Sequence, residues 1–222
     1  MIDHTRHMGI FNADTLDVCL IGAGGIGAIT AITLGKMGVH KIHLYDDDIV
    51  DEINLATQFH RISDVGYRKV RTVHNSIWEF SQTHTSLNGY RVNKDTQLPV
   101  TDIYISTVDS IASRQEIWKA VQKSNRSALK PWYLDARMGA EVFELFVVNL
   151  QDYAWYSNTV NNANDDDIPD LPCTSKATIY TANIAAGHIG AAVRRIVTRK
   201  QQPGFLHHDI LHNELSFLEM GE

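Results

Sequence analysis

Four glycines lie within six residues, directly after an apolar run at residues 18–21, and they are Gly22, Gly24, Gly25 and Gly27. Glycine permits a tight turn and lets backbone N–H groups approach a phosphate, and the positive end of a following helix attracts the anion. Asp46 comes 19 residues after Gly27, at the end of a second predicted strand, where a carboxylate can accept both hydroxyls of a ribose. The spacing predicts a nucleotide-binding site and leaves open which nucleotide is bound.

Two further side chains have types that suit chemistry beside a bound nucleotide. Asp109 follows a predicted strand at 102–107. Mg²⁺ prefers one or two carboxylates together with phosphates, so we expect Asp109 to bind Mg²⁺, to cap the next helix, or to do both. Cys173 precedes the last predicted helix and lies near Lys176, which would favour a thiolate suited to persulfide, thioester or disulfide chemistry. An unreactive loop cysteine is the alternative for Cys173.

Strands and helices alternate along the chain, and the elements that position these residues follow from that pattern. The predicted strands lie at residues 18–21, 41–45, 102–107, 132–135 and 141–150, with a shorter one at 90–92. A helix follows the glycines and ends at Gly38, which acts as a left-handed cap, and others are predicted at 69–80, 113–124 and 178–200. The pattern predicts the α/β class: a Rossmann-like domain with a largely parallel central sheet and some antiparallel strands in the C-terminal half.

We expect a single domain over residues 1–222 with three less regular segments, namely an N-terminal arm at 1–15, a mobile loop at 156–176 and a C-terminal tail at 201–222. The loop is predicted from its asparagines, aspartates and two prolines, a composition that disfavours a packed core. The tail carries His207, His208 and His212, for which a solvated tail is favoured over a metal site.

The ordered motifs of the chain resemble those of the ThiF, MoeB and ubiquitin-activating enzymes. That family shares a GxGGxG turn, an Asp-x-Asp pair, an Asn-Leu-x-Arg-Gln run, an Asp-Val-Gly-x-x-Lys run and an Asp-Asn-x-x-x-Arg run. The resemblance covers about residues 16–200. The matching residues after the glycine turn are Asp46, Asp48, Asn54, Leu55, Gln58, Asp64, Val65, Gly66, Lys69, Asp109 and Arg114.

The resemblance implies an ATP- and Mg²⁺-dependent adenylyltransferase that activates a carboxylate as an acyl-adenylate. The acceptor it implies is the C-terminal glycine of a ubiquitin-like or sulfur-carrier protein, with the loop at 156–176 crossing over the site. It also implies a homodimer in which Arg6 of one subunit reaches the site of the other. The implied catalytic residues are Asp109, Lys69, Arg61 and Cys173. The implied ATP-binding residues are Gly22, Gly24, Gly25, Gly27, Asp46, Asp48, Asn54, Gln58, Lys69 and Arg114.

The chain departs from the family pattern at the arginine of the Asn-Leu-x-Arg-Gln run, where it has Thr57, and the loop that follows is about one residue shorter. In the family that arginine contacts the triphosphate. Arg61 or Arg68 could replace it, and without a replacement ATP turnover would be weakened. Lys69 could likewise be a solvated lysine at a helix start, and Arg6 a solvated terminal residue.

Composition narrows the possible partners and setting. The two cysteines form no CxxC pair, so no zinc is expected and a reducing cytoplasm is the natural setting. A formal net charge of −6 argues against a nucleic-acid partner. No signal-peptide pattern opens the chain, and Asn183 and His188 interrupt the small-residue run at 177–193, so we expect a buried helix and no membrane association.

Two other functions compete with adenylation of a carrier protein. One is a non-catalytic partner, or a specialised relative that adenylates a small molecule, a peptide or a tRNA base, which Thr57 supports. The other is an NAD-dependent oxidoreductase, which leaves Lys69, Asp109 and Arg114 unexplained. Arg137 is expected to face the pocket or the incoming tail, or to pair with Asp135 or Glu141.

Overall fold

The computed structural model describes residues 3–124, 131–164 and 177–219. Its centre is one sheet of eight strands in the order β3-β2-β1-β4-β5-β6-β7-β8. The strands are β1 (Asp17–Ile21), β2 (Lys41–Tyr45), β3 (His84–Asn88), β4 (Ile103–Ser106), β5 (Trp132–Gly139), β6 (Val142–Asn149), β7 (Phe205–Asp209) and β8 (Glu214–Leu218). The helices are α1 (Thr5–Met8), α2 (Gly25–Lys36), α3 (Lys69–Ser81), α4 (Ile111–Ser124), α5 (Ala154–Asn162) and α6 (Ile179–Val197).

The first five strands along the chain are parallel, and β6, β7 and β8 extend the sheet as an antiparallel meander. The α/β prediction, with antiparallel strands in the C-terminal half, is therefore confirmed. Parallel neighbours require crossover helices, whereas antiparallel neighbours are joined by short turns. The carboxyl ends of β1, β2, β3 and β4 consequently open at one edge of the sheet.

Two apolar cores lie on opposite faces of the sheet. One packs α2, α3 and α6 against it, and the other packs α4 and α5. β1 contributes Leu20 to the first core and Cys19 to the second, so this strand is covered on both faces. Burial raises the pKa of the Cys19 thiol, which disfavours a reactive thiolate at this position.

The small-residue helix α6 packs along α2. Ala185 and Ile189 of α6 are fully buried, and Gly190 faces Met37 and Thr33 closely enough that an added methyl group would touch both. Small side chains thus let the two helices approach. Within the described ranges, no helix has both the length and the apolarity needed to span a bilayer.

The strand predicted at 90–92 is wrong, because the third parallel strand is His84–Asn88. β3 lies at the edge of the sheet and pairs only with β2, so it does not need a continuous apolar pattern. Its polar side chains are satisfied locally, as in the 2.8 Å contact between Ser86 Oγ and His43 Nδ1. Residues 89–92 follow the carboxyl end of β3 and form no strand.

The mobile loop predicted from residue 156 onward is wrong in its first part, since α5 covers Ala154–Asn162. Tyr156 and Val160, one helical turn apart, are fully buried against the sheet and α4. These two anchors compensate for a polar composition. Residues 165–176, the rest of the predicted loop, lie outside the described residues.

The solvated tail predicted at 201–222 is also wrong over most of its length, because β7 and β8 extend the sheet. Leu206 is buried, and the ring of Phe205 lies 4.7 Å from that of Phe146. In the sequence, the neighbouring histidines make Phe205 and Leu206 difficult to recognise as part of a strand. Once β7 alternates between faces, His207 contacts Glu144 and His208 contacts His188.

Candidate nucleotide-binding site

A cavity of about 940 Å³ opens at the carboxyl ends of the parallel strands. In a sheet of this connectivity, ligands bind at that edge. The glycine turn forms one side, and residues that follow β2, β3 and β4 form the others. The charged side chains in its lining are Asp46, Asp47, Asp48, Lys69, Arg91, Asp109 and Arg114.

The glycine turn leads from β1 directly into α2, which begins at Gly25. Gly22 has φ of +102°, a conformation that other residues rarely adopt. A Cβ on Gly27 would lie 2.0 Å from the carbonyl oxygen of Gly22 and 2.7 Å from Thr107 Oγ1. The turn is therefore tight enough to exclude side chains at these positions. Gly24, Gly25 and Ile26 at the start of α2 line the cavity, and the first N–H groups of a helix have no partner within it.

We predict that Gly27→Ala disrupts this turn, because both the carbonyl group of Gly22 and the side chain of Thr107 must move to make room for the methyl group. The expected cost is about 3 kcal/mol of stability, the upper part of the range for an overpacked site, together with loss of ATP binding. Gly187→Ala on α6 is the control, because a Cβ there would meet no described atom within 4 Å and the residue does not line the cavity. Thermal unfolding and ATP calorimetry on both variants test this, and equal behaviour of the two would contradict it.

Asp46 fixes the glycine turn as well as facing the cavity. Its Oδ2 accepts the N–H of Ala23 at 2.7 Å, and its Oδ1 accepts the N–H of Asp48 at 2.8 Å. Burial raises the pKa of Asp46, although these two hydrogen bonds and nearby Lys69 oppose the shift. Each carboxylate oxygen keeps a further lone pair. Asp46 can thus hold the turn and still accept ribose hydroxyls.

His60 holds the same turn from its other side. Its Nε2 lies 3.2 Å from the carbonyl oxygen of Ala23, and its Nδ1 lies 3.0 Å from Thr72 Oγ1 on α3. A carbonyl only accepts, so Nε2 carries a proton. Both backbone groups of Ala23 are therefore bound, the N–H by Asp46 and the carbonyl by His60. No sequence motif pointed to His60 as a residue of this site.

Three half-buried histidines predict a fall in stability at acidic pH. The pKa values of His43, His60 and His188 are each lowered, in the first place by burial. The unfolded chain then binds more protons than the folded chain below about pH 6.5, so stability is complete above that pH and falls as pH drops through it. His60→Gln removes one contribution, and an amide can still donate to the carbonyl of Ala23. We expect a smaller decrease in Tm between about pH 7.5 and about pH 5.5 than in the wild type. An unchanged decrease would contradict this assignment.

Lys69 begins α3 and is almost buried, with 6% of its surface exposed. Its Nζ lies 2.8 Å from Asp48 Oδ2, and its backbone N–H donates to the carbonyl of Asp48 at 3.0 Å. Asp48 stays 56% exposed at its side chain. The pair therefore holds an ammonium group at the cavity wall while leaving part of its partner in solvent.

Asp109 lies two residues after Thr107, whose hydroxyl donates to the carbonyls of Ile21 and Gly22. The Asp109 side chain is exposed and lines the cavity, and it forms no ion pair with another described residue. Among the described residues there is no group of three metal-ligating side chains. A divalent cation here would thus rely on one carboxylate and the phosphates of a nucleotide, which is an arrangement that Mg²⁺ accepts.

Arg114 lines the cavity but is buried, and its guanidinium group is bound within the protein. It pairs with Asp135, donates to the carbonyl of Val108, and donates to the carbonyl of Ala136 at 3.1 Å. Three acceptors leave little of the group for a ligand. Arg137, for which two interpretations were open, also pairs with Asp135, at 2.8 Å.

The remaining predicted site residues are divided between the cavity and the surface. Gln58 lines the cavity, and its buried Oε1 has no hydrogen-bond partner among the described residues. Asn54 accepts the N–H of Asp51 and does not line the cavity. Arg6 lies exposed on α1, and Cys173 is outside the described residues.

Neither arginine considered as a replacement at Thr57 lines the cavity. Arg61 pairs with Glu79 on the exposed face of α3, and Arg68 donates to the carbonyls of Asp47 and Gly89. Besides Arg114, the cavity lining includes Arg91, whose Nε lies 3.3 Å from Asp47 Oδ2 and whose side chain is 69% exposed. Because residues 90–92 have the pattern of a strand, the sequence does not indicate Arg91 as a residue of the site. Placing β3 six residues earlier would have put Arg91 at the binding edge.

The residues fit a nucleoside triphosphate and one divalent cation. The glycine turn provides a backbone cradle that a Cβ would fill, Gln58 provides a buried acceptor without a described partner, and Lys69 provides a cation. Asp109 provides the exposed carboxylate. The donor set is that of phosphate binding at a helix N-terminus with an oxygen-ligated cation.

A protein-family model described as "ThiF family" matches residues 6–222. The probable adenylyltransferase/sulfurtransferase MoeZ of Mycobacterium tuberculosis is 46% identical over 61 residues, which are 27% of this chain and 16% of MoeZ. Ubiquitin-like modifier-activating enzyme 5 of Gallus gallus is 31% identical over 96 residues, 43% of this chain and 21% of that protein. A probable molybdopterin-synthase adenylyltransferase of Porphyra purpurea is 24% identical over 163 residues, 71% of this chain and 41% of that protein. Each match thus spans less than half of the curated relative.

Solved structures of similar fold include E. coli MccB, with a TM-score of 0.74 and 17% identity over 95% of this chain and 64% of MccB. A crystal structure of E. coli MccB with ATP gives a TM-score of 0.71 at 17% identity, over 95% of this chain and 65% of that chain. At this level of identity the likeness establishes the shared fold.

Proposed function

This chain belongs to the ThiF family, and from that premise we propose that it uses ATP to adenylate a carboxylate. The observation that carries the proposal is the placement of Lys69 and Asp109 on one cavity beside the glycine turn. A nearly buried ammonium group and an exposed carboxylate suit a triphosphate and its cation. A dinucleotide oxidoreductase would have no evident use for this pair.

The reaction follows from what the residues can bind. The glycine turn and the N-terminus of α2 would bind phosphates, and Asp46 the ribose. The acceptor carboxylate attacks the α-phosphorus, an oxygen–phosphorus bond forms, the bond to the β-phosphate bridge breaks, and pyrophosphate leaves. Mg²⁺ held by Asp109 would neutralise charge on the phosphates, and Lys69 would add a fixed positive charge.

As acceptor we propose the C-terminal carboxylate of a ubiquitin-like or sulfur-carrier protein. Support comes from the family motifs and from relatives named as a ubiquitin-like modifier-activating enzyme and as adenylyltransferase/sulfurtransferases. The same proposal includes a cytoplasmic homodimer in which Arg6 reaches the partner's site. Cys173 would then attack the acyl-adenylate, forming a thioester and releasing AMP and the thiol proton. Cys173→Ala should block a thiol-sensitive conjugate without affecting adenylation.

The test is ATP–pyrophosphate exchange with Mg²⁺ and a panel of small carriers that end in glycine. Exchange that depends on one carrier supports the proposal. ATP binding without exchange on any carrier, but with exchange on a small carboxylic acid or peptide, would assign the chain to the specialised alternative. Tight NADH binding without ATP binding would refute adenylation and favour an oxidoreductase.

A further inference from the structure

Asp135 is a fully buried carboxylate on β5, and it is bound on all sides. It pairs with Arg114 from α4, accepts from Arg137 Nε at 2.9 Å, and accepts from the hydroxyl of Tyr156 at 2.8 Å. Burial alone would raise the pKa of Asp135, but the two guanidinium groups and these hydrogen bonds outweigh it and lower the pKa. Asp135 is therefore an ionised centre that joins three separate elements.

Arg114 connects this centre to the cavity. The same guanidinium group that pairs with Asp135 donates to the carbonyl of Val108, the residue directly before Asp109. The carbonyl of Ala136 accepts a third hydrogen bond, at 3.1 Å. With its orientation fixed by Asp135 and Ala136, Arg114 holds the backbone from which the Asp109 side chain projects. A planar fork of this kind is suited to such positioning.

Tyr156 connects the centre to α5. Its ring is buried among Trp118, Tyr133 and Phe146, with centroids 4.9 to 5.6 Å away, so its hydroxyl has a fixed direction. Two further contacts hold α5 on α4: Trp118 Nε1 donates to Ser157 at 3.1 Å, and Gln115 donates to the carbonyl of Val160 at 3.0 Å. The Tyr156 hydroxyl thus donates to Asp135 from a helix that is itself held firmly in place.

We propose that Asp135 is a positioning residue, which Tyr156 of α5 holds in place and which, through Arg114, sets the position of Asp109. This inference rests on the proposed function, because it gives Asp109 the role of cation ligand. It assigns to Arg114 the orientation of the turn at residues 108–109 and no direct contact with ATP. Groups behind a metal ligand affect metal affinity by about tenfold or more when removed.

Tyr156→Phe is the variant of choice, since it deletes one hydroxyl and keeps the buried ring. We expect the Mg²⁺ concentration that half-maximally enhances ATP binding to rise by about tenfold, with ATP affinity in EDTA unchanged. Calorimetry of ATP over a Mg²⁺ series measures both. Arg114→Lys keeps the positive charge but cannot bridge Asp135 and the carbonyl of Val108. It should therefore raise the required Mg²⁺ concentration by a similar factor. This variant replaces Tyr156→Phe in the test if Tyr156→Phe does not fold.

Tyr104→Phe is the matched control. Tyr104 is buried in the same core, and its hydroxyl donates to the carbonyl of Pro99 at 2.7 Å, away from the Asp109 turn. It should lower Tm about as much as Tyr156→Phe and leave the Mg²⁺ dependence unchanged. If ATP binding by Tyr156→Phe and by Tyr104→Phe depends on Mg²⁺ in the same way, Asp135 does not position Asp109. The proposed adenylation would still stand. A wild type whose ATP binding ignores Mg²⁺ overturns both.

Discussion

Asp109→Asn is expected to reduce ATP–pyrophosphate exchange by at least about a hundredfold, the scale on which single electrostatic groups act in transition states. The amide keeps the size of the side chain and removes the negative charge that would hold a cation against the phosphates. Because Asp109 is exposed and forms no ion pair with another described residue, its loss should leave Tm within about 1 °C of the wild type. Exchange kinetics and thermal unfolding of the purified chain provide the two measurements.

The control for Asp109→Asn is Asp95→Asn, at an exposed carboxylate that pairs with Lys123 at 3.1 Å and does not line the cavity. It changes the net charge equally and should exchange at the wild-type rate. If Asp109→Asn retained full exchange, the cation would have to be bound elsewhere, and the proposed role of Asp109 would be wrong. A loss of exchange in both variants would indicate a nonspecific effect of charge.

The central sheet and the glycine turn could be predicted because each has a local cause. β1 is apolar since both of its faces are covered, and it leads into a turn in which Gly27 leaves no room for a Cβ. Gly38 was expected to end α2 and does so with φ of +84°. Patterns of this kind are written within a few residues, so a single sequence can reveal them.

The edge strand, α5 and the C-terminal hairpin were not predictable in this way, because tertiary contacts decide them. β3 tolerates polar residues since only β2 pairs with it, and α5 depends on two buried side chains, Tyr156 and Val160. β7 depends on Phe205 and on buried Leu206, which directly precede two histidines. Each of these elements overrides its local propensity by burying a small number of residues.

The candidate site shows the same division. Motif residues of the glycine turn, Asp46, Lys69 and Asp109 share one cavity, whereas Asn54 and Arg61 have partners elsewhere. His60 was not recognisable because its role is to bind a backbone carbonyl 37 residues away. Contacts of that separation depend on the fold and leave no local signature in one sequence.

Because Thr57 stands where the family pattern has an arginine, we propose that phosphate binding depends chiefly on Lys69. Arg114 is committed to Asp135, and Arg91 lies beside Asp47 beyond the end of β3. In the ion pair between Lys69 and Asp48, the lysine side chain is nearly buried, whereas the aspartate side chain is exposed. A charge that is shielded from water acts on a ligand more strongly than an exposed one.

We therefore predict that Lys69→Met weakens ATP binding by about a hundredfold, equivalent to about 2.7 kcal/mol, and lowers exchange at least as much. Methionine retains the length of the buried stem, and Asp48 remains solvated, so the lost ion pair itself should change stability by less than about 1 kcal/mol. ATP calorimetry and exchange kinetics measure the effect on function, and thermal unfolding measures the effect on stability.

Arg71→Met is the matched control for Lys69→Met, because it removes the same charge from the same helix. The Arg71 side chain is exposed and lies beside the ring of Tyr67. It should bind ATP within about twofold of the wild type, since screening by salt weakens a distant exposed charge. A hundredfold loss confined to Lys69→Met would assign the phosphate contact to that ammonium group. If Lys69→Met instead bound ATP as tightly as Arg71→Met, Lys69 would serve only to join Asp48 to α3, and the triphosphate would have to be held by Arg91 or by a residue of a second subunit.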